Sequence, residues 1–77
     1  MKDVLEYIAR EIVDDPDSVE VDEKHDDRGV LLTLRVAQED MGKVIGRGGR
    51  TARAIRAVMK AAATRAGIHH THVEIAD

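Results

Sequence analysis

The stretch GKVIGRGGRTARAIR, residues 42–56, limits the folds open to this chain more than any other part of it. It contains four glycines, three of them within residues 46–49, and the segment that follows has the apolar spacing of a helix. The pattern predicts a short helix over residues 41–45 and a longer one over residues 50–66. The chain must turn sharply between these helices, and glycine permits the positive φ values that such a turn requires.

The rest of the chain predicts one more helix and three strands. Apolar residues recur at helical spacing over residues 2–13, and Pro16 ends this helix because proline cannot continue its hydrogen-bond ladder. Apolar and polar residues alternate, as on half-buried strands, in residues 18–22, 30–37 and 71–75. The predicted order is α-β-β-α-α-β, which belongs to the α+β class.

Three residues are expected to mark boundaries between these elements. Gly29 ends the sequence HDDRG, where a residue free to take positive φ allows a turn between the first two strands. Asp40 is placed to act as the N-cap of the short helix. Gly67 is placed to stop the long helix at its C-terminal end.

The long helix is predicted to have three faces when its residues are set at intervals of about 100°, with Arg50 at zero. The face expected to meet the core spans about 80° to 200° and contains Ala52, Ile55, Val58, Met59, Ala62 and Ala66. Beside it lies a basic ridge, made of Arg50, Arg53, Arg56 and Lys60. The third face, called the alanine face here, contains Ala54, Ala57 and Ala61.

The net charge of −3 conceals an uneven distribution. Residues 1–40 contain 5 Lys or Arg and 13 Asp or Glu, a balance of −8, whereas residues 41–66 contain 7 basic residues and no acid. Residues 67–77 add Glu74 and Asp77, so that −8, +7 and −2 sum to −3. A polyanion should therefore be attracted to the segment around the glycines and repelled by the rest.

Length and composition exclude several classes of protein. The chain of 77 residues is expected to form a single domain, residues 1–77, because it has no room for a second core. The absence of cysteine excludes disulfides and zinc sites that use cysteine. The first residues mix acids with apolar side chains, unlike a signal peptide, and no stretch is apolar enough to cross a membrane. A cytoplasmic protein is expected.

The glycine turn is expected to bind an anion. The first N–H groups of the long helix have no intrahelical acceptors and lie at the positive end of the helix dipole. Gly46, Gly48 and Gly49 lack the Cβ atoms that would keep a phosphodiester chain at a distance, and Arg47 and Arg50 supply charged donors. A simple helix corner needs one glycine as a C-cap, so three glycines in four residues favour phosphate binding.

The sequence VIGRGG followed by RTARAIRAV resembles the signature of KH domains, in which an apolar-Ile-Gly-x-x-Gly turn precedes a helix with regular apolar positions. The order of elements resembles the type II KH arrangement of bacterial proteins, and the length is similar to that of the small, single-module KhpA-type proteins. This resemblance covers nearly the whole chain. It implies a three-stranded mixed sheet in sequence order, with the second and third strands parallel and the helices on one face.

The resemblance also implies a function. KH domains hold about four single-stranded nucleotides with the backbone clamped at the turn. The chain is therefore expected to be a non-catalytic module that binds single-stranded RNA, acts as an RNA chaperone and needs no cofactor. The site implied residue by residue consists of Gly46, Arg47, Gly48 and Gly49 as the clamp, Lys43, Arg50 and Arg53 as its charged border, and Val44 and Ile45 as part of an apolar groove for bases.

The sequence departs from the general KH pattern in two places. Ala52 stands where many KH domains have a large aliphatic residue, so the core below the turn is expected to be shallow. The only aromatic residue is Tyr7, which lies on the first helix. Stacking of bases on aromatic rings is therefore not expected, and sequence specificity should be modest.

An enzyme and a metal site receive little support from the residues. A nucleotide-binding P-loop needs G-x-x-x-x-G-K-[ST] after a strand, whereas here the lysine precedes the turn and a helix comes before it. No Ser/His/Asp set stands out, so no catalytic residue is expected. His69, His70 and His72 cluster without other strong ligands, and histidines on a strand surface explain them better than a metal site does.

A protein–protein adaptor is the alternative with more support. The alanine face would let a second backbone come close, and a 77-residue domain gains stability by pairing. KhpA-type proteins are associated with self-pairing and with pairing to a larger KH-containing protein. The resemblance therefore implies a homodimer or a heterodimer, and pairing and RNA binding can coexist.

Overall fold

A computed structural model describes residues 1–76 of the chain. Its helices and strands follow the predicted order, which is confirmed, and they are α1 (Lys2–Ile12), β1 (Glu20–His25), β2 (Val30–Arg35), α2 (Met41–Ile45), α3 (Arg50–Arg65) and β3 (Thr71–Ala76). Short 3-10 turns precede β1, α2 and α3. β1 begins and ends later than predicted, because its last residues are polar and are held in the sheet by pairing with β2.

The three strands form one sheet in the order β1-β2-β3. β1 pairs antiparallel with β2, with Val21 opposite Leu34, and β2 pairs parallel with β3, with Leu32 opposite Val73. This mixed sheet confirms the arrangement that the resemblance implied. Because parallel neighbours cannot be joined by a hairpin, the connection from β2 to β3 needs a long crossover, and α2 and α3 provide it.

The core lies between the helices and one face of the sheet. Alternate side chains of β2 point into it, and Leu32 and Leu34 are fully buried. Leu5 and Ala9 from α1 cover this face together with Ile55 and Met59 from α3. Ala52 is also buried beneath the start of α3, where its single methyl group fills little space.

The prediction for the core face of α3 is partly wrong. Ala52, Ile55 and Met59 are buried as expected, whereas Val58 is 47% exposed, and Ala63 is buried although it was not predicted to be. Ala62 is half-buried, and Ala66 is exposed just after the helix ends. The buried arc is centred near 180° on the helical wheel, about 40° further round than predicted, because α3 packs over β3 on that side.

The end of α3 confirms the role predicted for Gly67. Gly67 takes a φ of 81°, and its N–H donates to the carbonyl of Thr64 at 3.1 Å. The N–H of Ile68 donates to the carbonyl of Ala63 at 2.8 Å. This pair of hydrogen bonds is the Schellman motif, which requires a left-handed residue after the helix and therefore favours glycine.

The neighbouring residues Met59 and Val58 test the orientation of α3. We expect Met59→Ala to lower the free energy of unfolding by about 2–5 kcal/mol, because it opens a cavity in a fully buried site. Val58→Ala should change it by less than about 1 kcal/mol, because nearly half of the residue is already exposed to solvent. Urea denaturation at low protein concentration measures both values, and the reverse ranking would contradict this orientation.

Candidate nucleic-acid interface

The turn between α2 and α3 is built from three glycines with positive φ. Gly46 ends α2 with φ 75°, and Gly48 and Gly49 follow with φ 64° and 77°. A Cβ atom on Gly46 would lie 2.8 Å from the backbone nitrogen of Thr51, so only glycine lets α3 begin this close to the end of α2. Gly48 is exposed and has open space around it, so its positive φ alone, and not a lack of space, favours glycine there.

The turn leaves two backbone amides unpaired at its outer surface. The N–H of Gly49 donates to the carbonyl of Gly46 at 3.1 Å, and the N–H of Arg50 donates to that of Arg47. Within residues 1–76, neither Arg47 nor Gly48 has an acceptor for its own N–H. Both amides precede the N-terminus of a 16-residue helix, whose dipole favours negative charge at this point. The turn therefore presents two N–H groups without acceptors at the positive end of the helix dipole.

Arginine side chains surround this turn. Arg47 and Arg50 are exposed, and no carboxylate of residues 1–76 lies within ion-pair distance of either. Arg53 is also exposed, and its guanidinium donates to the carbonyl of Gly48 at 3.3 Å. That hydrogen bond supports the turn from the first helical turn of α3 and leaves other N–H groups of the guanidinium free.

The basic ridge continues along the side of α3 that faces β3. The Nε–H of Arg56 donates to the carbonyl of Val73 at 3.2 Å, which fixes the direction of the ridge relative to the sheet. Arg56 is therefore tied to the strand, although its side chain, like those of Arg50 and Lys60 on the same ridge, is exposed. The ridge lies beside the edge of the sheet and not on a detached solvent face.

Two residues of the expected apolar groove occupy different environments. Ile45 is 39% exposed at the end of α2, where a base could contact it. Val44 is fully buried and belongs to the core, so the expectation that it lines the groove is wrong. Val44 is the one fully buried residue of the five-residue helix α2, and Met41 is partly buried against the same core, so both residues hold the helix under the turn.

Asp40 has a role that differs from the one predicted. It stands at the N-cap position of α2, but its side chain makes no capping hydrogen bond. Its carboxylate is 2% exposed and accepts hydrogen bonds from the N–H groups of Asp14 and Asp15, at 3.3 and 3.1 Å. The two donors belong to the loop that follows α1, so Asp40 ties that loop to the start of α2.

The environment of Asp40 stabilises its charged form. Burial by itself would raise the pKa of this carboxyl group, but the N–H groups of Asp15 and Asp14, followed by the ammonium group of Lys43, outweigh it. The pKa of Asp40 is consequently held below its usual range. A buried carboxylate with two backbone donors and a nearby cation meets the requirement that buried charge be paired.

Lys43 was expected to belong to the charged border of the site, but its ammonium group is already paired with carboxylates. Its ammonium group contacts the carboxylate of Asp14 and lies 3.5 Å from Asp40. The hydrogen bond to Asp14 is the main cause that raises the pKa of Lys43, and burial acts against it. The segment of residues 41–66 has no acid in its sequence, yet the fold brings two carboxylates to its first lysine.

The sequence alone missed the contribution of Asp14, Asp15 and Asp40 to this region. In the sequence, the adjacent acids Asp14 and Asp15 indicate only the end of α1, together with Pro16. The one available signal was Asp40, an acid in the middle of an otherwise favourable start to a helix. Its partners lie 25 and 26 residues earlier, and no local pattern connects segments so far apart.

Neither a metal site nor a membrane-spanning helix is found among residues 1–76. Among residues 1–76, no three His, Asp or Glu side chains are grouped so that they could hold a metal ion. In the same range, every helix is too short or too polar to span a lipid bilayer.

The helix–glycine turn–helix, packed on a mixed three-stranded sheet, defines a KH domain of the type II arrangement. The family model described as KhpA/KhpB, KH domain, matches residues 2–75. The chain is 55% identical over 65 residues to "RNA-binding protein KhpA" of Clostridium acetobutylicum. This alignment covers 84% of this chain and 87% of that protein. This chain belongs to the KhpA/KhpB family of KH domains.

Other relatives extend the same comparison. "RNA-binding protein KhpA" of Caldanaerobacter subterraneus is 52% identical over 63 residues, or 82% of this chain and 84% of that protein. The protein of the same name from Streptomyces coelicolor is 49% identical over 61 residues, or 79% of this chain and 77% of that protein. None of these names describes an enzyme, in agreement with the expectation from the sequence. No solved structure matches the chain.

The link between Asp40 and the loop after α1 can be tested through pH. The lowered pKa means that Asp40 stabilises the fold above pH of about 4, and that this contribution is lost as pH falls through the folded-state pKa. Asp40→Asn should lower Tm at pH 7 by roughly 5–10 °C. The difference in Tm between wild type and Asp40→Asn should become smaller below pH of about 4.

The control for this experiment is Asp17→Asn, which removes an exposed carboxylate from the same loop. We expect it to leave Tm nearly unchanged at both pH values. Thermal unfolding, monitored by circular dichroism, gives the Tm of each protein at both pH values. An Asp40→Asn variant as stable as wild type at pH 7 would show that the buried carboxylate does not hold the loop.

Proposed function

We propose that this protein binds single-stranded RNA, with the phosphate backbone seated on the turn formed by Gly46–Gly49, and that it acts as a small cytoplasmic RNA-binding and RNA-chaperone module. The observation that carries the proposal is the exposed turn, where the two unpaired amides of Arg47 and Gly48 lie beside uncompensated arginines. The relatives named "RNA-binding protein KhpA" support the same ligand class.

The contacts available at the turn indicate what kind of binding to expect. A phosphate would receive backbone N–H donors from the turn, and Arg47 and Arg50 would add charge-assisted hydrogen bonds. Arg53 would complete the charged border, Lys43 would contribute less because two carboxylates already pair with it, and Ile45 would give a base an apolar contact. Affinity should therefore come from the backbone of the RNA, with modest sequence preference.

Reversing the charge of the turn tests this function. We expect Arg47→Asp combined with Gly48→Asp to reduce RNA affinity by at least about tenfold, because it places repulsive charge beside the phosphate site. The fold should persist, since both positions are exposed and a Cβ on Gly48 meets no atom within 4 Å. Fluorescence anisotropy with a labelled oligouridylate measures affinity at two salt concentrations, and circular dichroism measures the fold.

The matched control is Arg28→Asp, a charge reversal in the exposed turn between β1 and β2. On a four-nucleotide strand it should weaken binding by less than about twofold, because that turn lies at the opposite end of the sheet from the glycines. If the double variant binds within twofold of wild type with an unchanged spectrum, the phosphate does not sit on the glycine turn.

A second function, pairing with another protein, is favoured by the outer side of α3. Ala54, Ala57 and Ala61 are exposed, and they lie opposite the buried arc that contains Met59. Val58, which the core does not cover, adjoins them. We propose that two copies meet through this face, because small side chains let two helices cross closely; a larger KH-containing protein is the alternative partner.

Ala61→Glu tests the pairing. In a two-fold arrangement the same face meets its own copy, so each glutamate would approach its counterpart and separate the pair. Two linked RNA sites bind a long strand with raised effective concentration, so the variant should bind long RNA several-fold more weakly and a four-nucleotide strand equally well.

Sedimentation of the free protein provides the independent readout for this proposal. Gln38→Glu, which adds one negative charge at an exposed position away from α3, is the control and should sediment like wild type. A wild-type protein that remains a monomer at high micromolar concentration would contradict self-pairing.

A further inference from the structure

A polar cavity lies at the far end of α3 from the glycine turn. It encloses about 350 Å³ and is lined by Lys60, Thr64, Ile68, His69, His70 and Thr71. No carboxylate is among these lining residues, although the chain as a whole has more acids than bases. The cavity therefore offers hydrogen-bond donors and one ammonium group to a ligand, without negative charge in its wall.

The cavity lies on the same side of α3 as the basic ridge. Arg56 contacts the backbone of Val73, and Lys60 lines the cavity with Thr71. Four residues of helix rise by about 6 Å, and two residues of strand rise by about 6.6 Å. Because α3 runs antiparallel to β3, one more helical turn along the ridge brings Lys60 beside Thr71. From Arg50 to Lys60 the ridge covers about 15 Å.

The hydroxyl group of Thr71 is the feature of this cavity that the fold itself does not explain. Its Oγ1 atom is buried, and within residues 1–76 it has no hydrogen-bond partner. The neighbouring hydroxyl of Thr64 is different, because it donates to the carbonyl of Lys60 at 3.0 Å. A buried hydroxyl without a partner is costly, and rotation of the Thr71 side chain towards a ligand in the cavity would remove that cost.

Charged groups of the β1–β2 turn also lie near this cavity, because Asp26 and Arg28 line an adjacent cavity that shares His70 and Thr71 with it. Asp26, Asp27 and Arg28 line a separate cavity with His25 and His69. The carboxylate of Asp26 already accepts the N–H groups of Arg28 and Gly29, at 2.7 and 3.0 Å. The acids of the β1–β2 turn are thus partly engaged, and Lys60 is the charged group that faces the cavity itself.

We propose that this cavity binds a phosphate group of the RNA strand whose first phosphates sit on the glycine turn. Lys60 supplies the charge, the hydroxyl of Thr71 and the ring N–H groups of His69 and His70 supply hydrogen-bond donors, and the ridge guides the strand between the two sites. The inference rests on the proposed function. Its consequence is that strands longer than about four nucleotides gain affinity, because the second contact forms at high effective concentration.

The test compares a 4-nucleotide and a 12-nucleotide oligouridylate, each labelled and measured by fluorescence anisotropy. Lys60→Met removes the ammonium group, and Thr71→Val removes the hydroxyl while keeping a β-branched residue in the strand. Each substitution is expected to weaken binding of the 12-nucleotide strand by about three- to tenfold. Each should change binding of the 4-nucleotide strand by less than about twofold.

Arg65→Met is the matched control, since it removes a cation from the last turn of α3 that does not line the cavity. If Lys60→Met and Thr71→Val both bind the longer strand with wild-type affinity, the second site is overturned. The proposed function is not affected by that result. Equal losses on both strands, or an equal loss with Arg65→Met, would also overturn the second site. A wild-type protein that binds neither strand would overturn the proposed function together with the second site.

Discussion

The parallel pairing of β2 with β3 is the constraint on which the rest of the structure depends. Parallel neighbours cannot be joined by a tight turn, so the chain leaves the end of β2, crosses the covered face of the sheet and returns to the start of β3. α2, the glycine turn and α3 make that crossing. The corner between the two helices has to lie outside the packed layers, and this is why the candidate site is exposed.

The geometry of that corner depends on glycines, which have no Cβ atoms. Without a Cβ on Gly46, α3 can begin against the end of α2, with Thr51 in close contact. Gly48 and Gly49 follow with positive φ, and within residues 1–76 the N–H groups of Arg47 and Gly48 remain without acceptors. The hydrogen bond from Arg53 to Gly48 holds the loop in this form. A loop that is already held in one form needs little further ordering to bind a ligand.

The distribution of charge over the surface depends on the tertiary structure as much as on the sequence. The acidic first half of the chain is not simply kept away from the basic segment, because Asp14 and Asp40 reach Lys43. No carboxylate of residues 1–76 lies within ion-pair distance of Arg47 or Arg50, so their charge is not compensated locally. The positive potential is thereby concentrated at the turn and along one side of α3.

The sequence by itself determined the order of elements, the place of the turn and the family, because periodicity, glycine spacing and helix stops are local signals. Only the tertiary structure decided that Val44 is buried, that Val58 is exposed and that Asp40 holds a loop instead of capping α2. Each of these depends on which side of an element meets its neighbours. A helical wheel gives the relative angles of side chains, but the rotation of the helix is fixed by packing against strands distant in sequence.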